Sequence, residues 1–143
     1  MSGRPRDRER GRGQALIEFA IGITVFLMLF IGTIDLGRGV FMFNGVAQAA
    51  REIARETSVH RGTGALGDSP ETLAVLATQR NLVPGLADPV YACVDIAGTV
   101  QLDTCQAGDW VRVTTSTTFN AALPFLAMLG PVVLSSTSSA EIQ

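Results

Sequence analysis

From Gln14 to Ile34 the chain reads QALIEFAIGITVFLMLFIGTI, and from Phe19 onward this run holds no charge and no proline. Counted from Ala15, the apolar segment reaches about 20 residues, or about 30 Å as a helix, which is the thickness of a bilayer's hydrocarbon core. A helix on the surface of a soluble domain shows one apolar stripe at a period of 3.6 residues, whereas here every face is apolar. A chain of 143 residues has too little other mass to wrap such a helix. The run therefore predicts a transmembrane helix.

Glu18 stands apart inside it. An acidic side chain at the bilayer centre costs about 2 to 3 kcal/mol or more. Two readings are open: the carboxylate lies about one helical turn from the membrane edge and reaches the headgroups, or it is kept for a function. The residues before it favour the second. A short leader, MSGRPRDRERGRG, is rich in arginine and ends in Gly13. Cutting after Gly13 would make Gln14 the first residue and Glu18 the fifth of an apolar helix.

This pattern of basic leader, glycine, glutamate at the fifth position and apolar helix resembles the type IV pilins and their relatives. The wording GQALIEFAI, followed by IDLGR from Ile34 to Arg38, is more narrowly similar to the TadE-like pseudopilins of the tight-adherence (Tad, or Flp) pilus system. The resemblance is closest over residues 11 to 38. Gly13, Glu18 and Phe19 match the family's processing motif, and Asp35 and Arg38 its post-membrane motif. The helix lacks the proline that many of these proteins carry.

The resemblance implies a cytoplasmic leader over 1–13, cut between Gly13 and Gln14 by a prepilin peptidase at a bacterial inner membrane. It implies a pilus-assembly role, with other pilin and pseudopilin subunits as partners through the N-terminal helix. Glu18 would then act as the assembly carboxylate. A major pilin is disfavoured by size, because the tight-adherence major pilins are much shorter chains with little outer domain.

Charge agrees with that orientation. Residues 1 to 13 hold five arginines against Asp7 and Glu9, while the remainder holds six arginines against eleven acids. Basic flanks stay on the cytoplasmic side, which puts the N-terminus inside and the C-terminal part outside. Nucleic acid is not the expected partner: the basic cluster lies at a membrane edge, and the larger part of the chain is acidic. A secretory signal peptide is the competing reading, with Ala47-Gln48-Ala49 as a small-x-small site. Ala49 lies far beyond the end of the apolar run, where cleavage does not normally occur.

Beyond the membrane no proline interrupts the helix before about His60, and Gly37, Gly39 and Gly45 weaken it by only about 1 kcal/mol each. One helix over 14–58 is expected, transmembrane to about residue 35. Val46, Ala50, Ile53, Ala54 and Thr57 share one face, to be packed on the domain's own sheet or on another subunit. Glu52 and Arg55 are spaced to pair on the opposite side.

Residues 59–143 then form one small extracytoplasmic domain. Ser69 is placed to cap a second helix that opens on Pro70 and Glu71 and ends near Asn81. β-Branched residues follow, reading as strands over Val90–Ile96, Thr99–Leu102 and Trp110–Phe119, with turns at Ala97-Gly98 and Ala107-Gly108-Asp109. Residues 121–130, AALPFLAMLG, are too short to span a bilayer and read as a buried short helix or as an apolar patch. Pro131–Ile142 reads as a last, edge strand. The fold class is α+β and pilin-like: a long N-terminal helix, a short second helix and a small antiparallel sheet.

Cys93 and Cys105 both fall in the part placed outside, where an oxidising compartment favours a disulfide; the alternative is two buried free thiols. A metal site is disfavoured, because zinc wants three or four protein ligands and the single histidine, His60, is remote from both cysteines. One histidine, no nucleophile elbow and no lysine exclude the common hydrolase and phosphate-binding motifs. Neither an enzyme nor a cofactor is expected. Asp35 with Arg38 reads as a pair at the outer membrane edge. The alternative to the pseudopilin is an uncleaved single-pass anchor that displays a binding or adhesion domain.

Overall fold

A computed structural model describes residues 5–60, 65–101, 105–123, 128 and 130–143. A single helix, α1, runs over Pro5–Val59, and a second, α2, over Pro70–Leu82. Four strands follow: β1 (Val90–Val94), β2 (Val100–Gln101), β3 (Trp110–Phe119) and β4 (Val132–Glu141). They form one antiparallel sheet in the order β2-β1-β3-β4. β3 is the long central strand, paired along its whole length with β4, which closes one edge of the sheet. The layout is α+β.

The outer half of α1 lies across β3 and β4, and α2 packs on α1. Val46, Ala50, Ile53, Ala54 and Thr57 are all buried, and Val46, Ile53 and Ala54 share one core cluster with Val111 and Val113 of β3. Alternation places Val111, Val113, Thr115 and Thr117 on the buried side of β3, as a half-covered strand requires. The helix face thus packs on the domain's own sheet. On its far side Arg55 Nη2 lies 2.9 Å from Glu52 Oε1. Helix α2 starts as its sequence dictates. The Ser69 hydroxyl accepts from Thr72 N–H, and Pro70 occupies the first turn, where its missing N–H is no loss.

Two details differ from the sequence reading. Helix α1 begins at Pro5, so residues 5–13, ahead of the helix expected over 14–58, are part of it. Proline suits a first helical position, and arginine and glutamate are good helix formers. Strand β1 stops at Val94 because Asp95 turns the chain: its side chain accepts from Thr99 N–H, its carbonyl accepts from Gly98 N–H, and Gly98 has φ +85°. Ile96 is left exposed in that turn. His60 stays exposed, with Nδ1 2.9 Å from Glu56 Oε1. Leu102 and most of the helix expected within residues 121–130 lie outside the described residues.

Tyr91, the single tyrosine, is half-buried against the core. Burial first, then the Asp68 carboxylate, raise its phenol above the usual value, with Arg80 acting in the opposite direction. The unfolded chain therefore loses this proton first. The stability Tyr91 contributes is intact below about pH 10 and is lost as pH rises through the folded value. An alkaline titration of phenolate absorbance should give a midpoint above that of free tyrosine in the folded protein, returning to it in denaturant. An ordinary midpoint in the folded state would contradict this packing.

Candidate functional site

The inner half of α1 is bare. From Leu16 to Ile34 its large apolar side chains are exposed, and the segment is long and apolar enough to cross a membrane. Its two threonines do not interrupt this surface. Thr24 Oγ1 donates to the Ala20 carbonyl at 2.7 Å and Thr33 Oγ1 to the Leu29 carbonyl at 2.9 Å, so each hydroxyl is satisfied within the helix. At the inner end Gln14 Nε2 donates to Glu18 Oε1 at 3.1 Å, one turn apart on one face. Nothing lies within 4 Å of a Cβ built on Gly13.

The outer end of the run is organised around Asp35. This residue is only 4% exposed although it sits on the helix that carries the bare surface. Its Oδ2 accepts from the backbone N–H groups of Ala122 at 2.8 Å and Leu123 at 3.0 Å. Its Oδ1 lies 3.2 Å from Arg38 Nη1. The Arg38 guanidinium in turn stands 5.7 Å from the centre of the Phe119 ring, within the range of a cation–π contact. Charge-assisted bonds of this kind are stronger than neutral ones. They tie α1 to the segment that leaves β3, across 87 and 88 positions of sequence.

Two glycines make room for that segment. A Cβ on Gly32 would lie 3.3 Å from Leu123 Cδ1, and one on Gly39 would lie 3.8 Å from the Phe119 ring. Gly32, Asp35 and Gly39 therefore form one helix face, spaced i, i+3 and i+7, against which residues 119–123 are seated. Sequence reasoning paired Asp35 with Arg38 but missed Ala122, Leu123 and Phe119, and it treated Gly39 only as a weak point of the helix. The available signal was an acid with a glycine on either side of it along its own helix face; the segment that face receives was not legible in the sequence.

At the other end of the sheet Cys93 and Cys105 form a disulfide, with Cα atoms 5.5 Å apart. It joins β1 to the segment before β3, and Cys93 is buried in the core. Among the described residues no group of three or more His, Cys, Asp or Glu side chains gathers in a way that could hold a metal ion.

A model of the TadE-like protein family matches residues 13–55. The match takes in Gly13, Gln14, Glu18, Asp35 and Arg38, and it ends within the buried face of α1. No curated protein and no solved structure matches the chain. The match over residues 13–55 and the long apolar helix together fit a membrane protein related to the Tad pilus.

Proposed function

We propose, with the TadE-like character of residues 13–55 as the premise, that this protein is a minor pseudopilin that takes part in Tad pilus assembly. A prepilin peptidase cuts between Gly13 and Gln14, and the N-terminal helix holds the subunit in a bacterial inner membrane with its N-terminus cytoplasmic. The observation that carries this reading is the bare helix itself. It offers an uninterrupted apolar surface with a single acid, Glu18, one turn from the proposed new terminus.

Once the leader is gone, the Gln14 ammonium and the Glu18 carboxylate neutralise one another within a subunit or between neighbours. At low dielectric that pairing is worth far more than at a wet surface. In the bilayer the apolar surface meets lipid; in an assembly it meets the helices of other subunits.

The test is intact mass and N-terminal sequence of the membrane-extracted protein beside a Gly13→Leu variant in the native host. A mature chain starting at Gln14, with the variant left at full length, is the expected result. A wild-type chain that keeps its leader beside an active peptidase would overturn it. The second reading, an uncleaved anchor displaying a binding domain, draws on the unbroken run of α1 through Gly13 and Gln14. It requires that Gly13 be dispensable and that Glu18→Ala have no effect.

A further inference from the structure

The exposed surface of α1 does not change character where the apolar run ends in sequence. Past Asp35, the side chains of Leu36, Val40, Phe41 and Phe43 remain exposed, Phe41 by 71%. Only from Asn44 onward do the exposed positions turn polar, with Asn44, Gln48, Arg51 and Arg55. The boundary between apolar and polar surface therefore lies at residues 43 and 44, about 14 Å of helix beyond Ile34. The one charged group in between, Arg38, is half-exposed and paired with Asp35.

The base of the domain sits at the same height. Phe119 rests against Gly39 and Leu123 against Gly32, which is inside the apolar run. Register then fixes the start of β4, since Val132 pairs with Phe119 and Val133 with Thr118. Both valines are exposed, Val133 by 65%. A skirt of exposed apolar groups thus surrounds the point where the helix enters the domain. It is continuous with the bare helix below it.

We infer that this skirt is a lipid-binding surface, and that the domain is seated in the headgroup zone of the bilayer instead of standing clear of it on a stalk. The occupant follows from continuity with the membrane-spanning surface and from length. Gln14 to Phe43 spans about 45 Å of helix, which equals a hydrocarbon core plus its two interfacial layers. Leu36, Val40, Phe41, Phe43, Val132 and Val133 fall in the interfacial layer, from the acyl-chain boundary outward. Asp35 then lies below the membrane surface, sheltered from lipid by the segment it binds, and the Arg38 guanidinium paired with it is half-exposed on the headgroup side. The inference rests on membrane anchoring by α1 but not on leader cleavage.

The test reconstitutes the full chain alone in phosphatidylcholine vesicles with brominated acyl chains and reads tryptophan quenching. Trp110, the single tryptophan, lies at the far end of β3 and serves as the aqueous reporter in the wild type. Phe30→Trp, Phe41→Trp and Val133→Trp are each made in a Trp110→Phe background; all three replace exposed side chains and remove nothing from the core. Bromine near the headgroup end of the chains should lower the emission of the Phe41→Trp and Val133→Trp proteins by about half, because both groups lie at the interface. Wild-type Trp110 should be unaffected. Emission at positions 41 and 133 that ignores bromine, while Phe30→Trp is quenched, would overturn the inference and leave the domain in water. Quenching that emerges only when protein is diluted into excess lipid would also overturn it, by placing a second copy on the skirt. An unquenched Phe30→Trp protein would remove the membrane anchor and the inference with it.

Discussion

Replacing Asp35 with alanine should destabilise the domain by about 2 to 4 kcal/mol, because two backbone N–H groups lose their acceptor at a site with little access to water. Leu123 and Asp35 are both buried, so solvent cannot easily replace the lost bond to Leu123, whereas Ala122 is exposed and its N–H is the easier of the two for water to reach. Loss of the Arg38 partner adds little, since that guanidinium is half-exposed and such pairs contribute about 0 to 1 kcal/mol. Asp35→Asn keeps one acceptor oxygen and should lose only part of the effect. The measurement is urea unfolding of the detergent-solubilised full chain, followed by Trp110 emission. An Asp35→Ala protein within about 0.5 kcal/mol of the wild type would remove Asp35 from the account of how the domain is fixed on the helix. Arg38→Gln is the contrast, with an expected loss below about 1 kcal/mol.

Removing the disulfide should cost a similar amount by a different route. Cys93 and Cys105 are 12 positions apart, and closing a loop of that size restricts the unfolded chain enough to contribute about 3 kcal/mol in the chain-entropy model. Small domains have total stabilities of about 5 to 15 kcal/mol, so the loss is a large share. The Cys93→Ala/Cys105→Ala variant should show it in the same urea experiment, together with a smaller packing loss at the buried Cys93 position. Reducing agent should lower the wild-type midpoint and leave the variant unchanged. A wild type indifferent to reduction would mean that the bond does not restrain the unfolded chain.

The two effects should also add. Cys93 pairs with Val111 near one end of β3, whereas Asp35 holds the segment beyond Phe119 at the other. Eight residues of strand separate these ends by about 26 Å, and sites that far apart with no shared partner are independent within about 0.5 kcal/mol. A triple variant that loses markedly more or less than the sum would show that the sheet couples its two ends.

Elements whose cause is local were legible in the residues alone. The unbroken apolar run from Phe19 specifies a helix with no polar face, and nothing in the rest of the chain could cover it. Ser69 followed by Pro70 and Glu71 specifies where α2 begins, because capping acts within one turn. Alternation in Trp110-Val111-Arg112-Val113 specifies which side of β3 is buried, because the strand period is two. The spacing of Val46, Ala50, Ile53, Ala54 and Thr57 specified a buried face, though not what would bury it.

Other features depend on contacts between distant parts of the chain. Whether that face met the domain's own sheet or another subunit depends on where β3 and β4 fall, which no local pattern encodes. Asp35 read as the partner of Arg38, three residues away, because a helix places such pairs side by side. Its stronger partners are the N–H groups of Ala122 and Leu123, which the return of the chain from β3 brings beside it. A backbone N–H has no signature in the amino-acid code, so only the folded chain could reveal that the acid at the end of the apolar run is one of the points where helix and domain are joined.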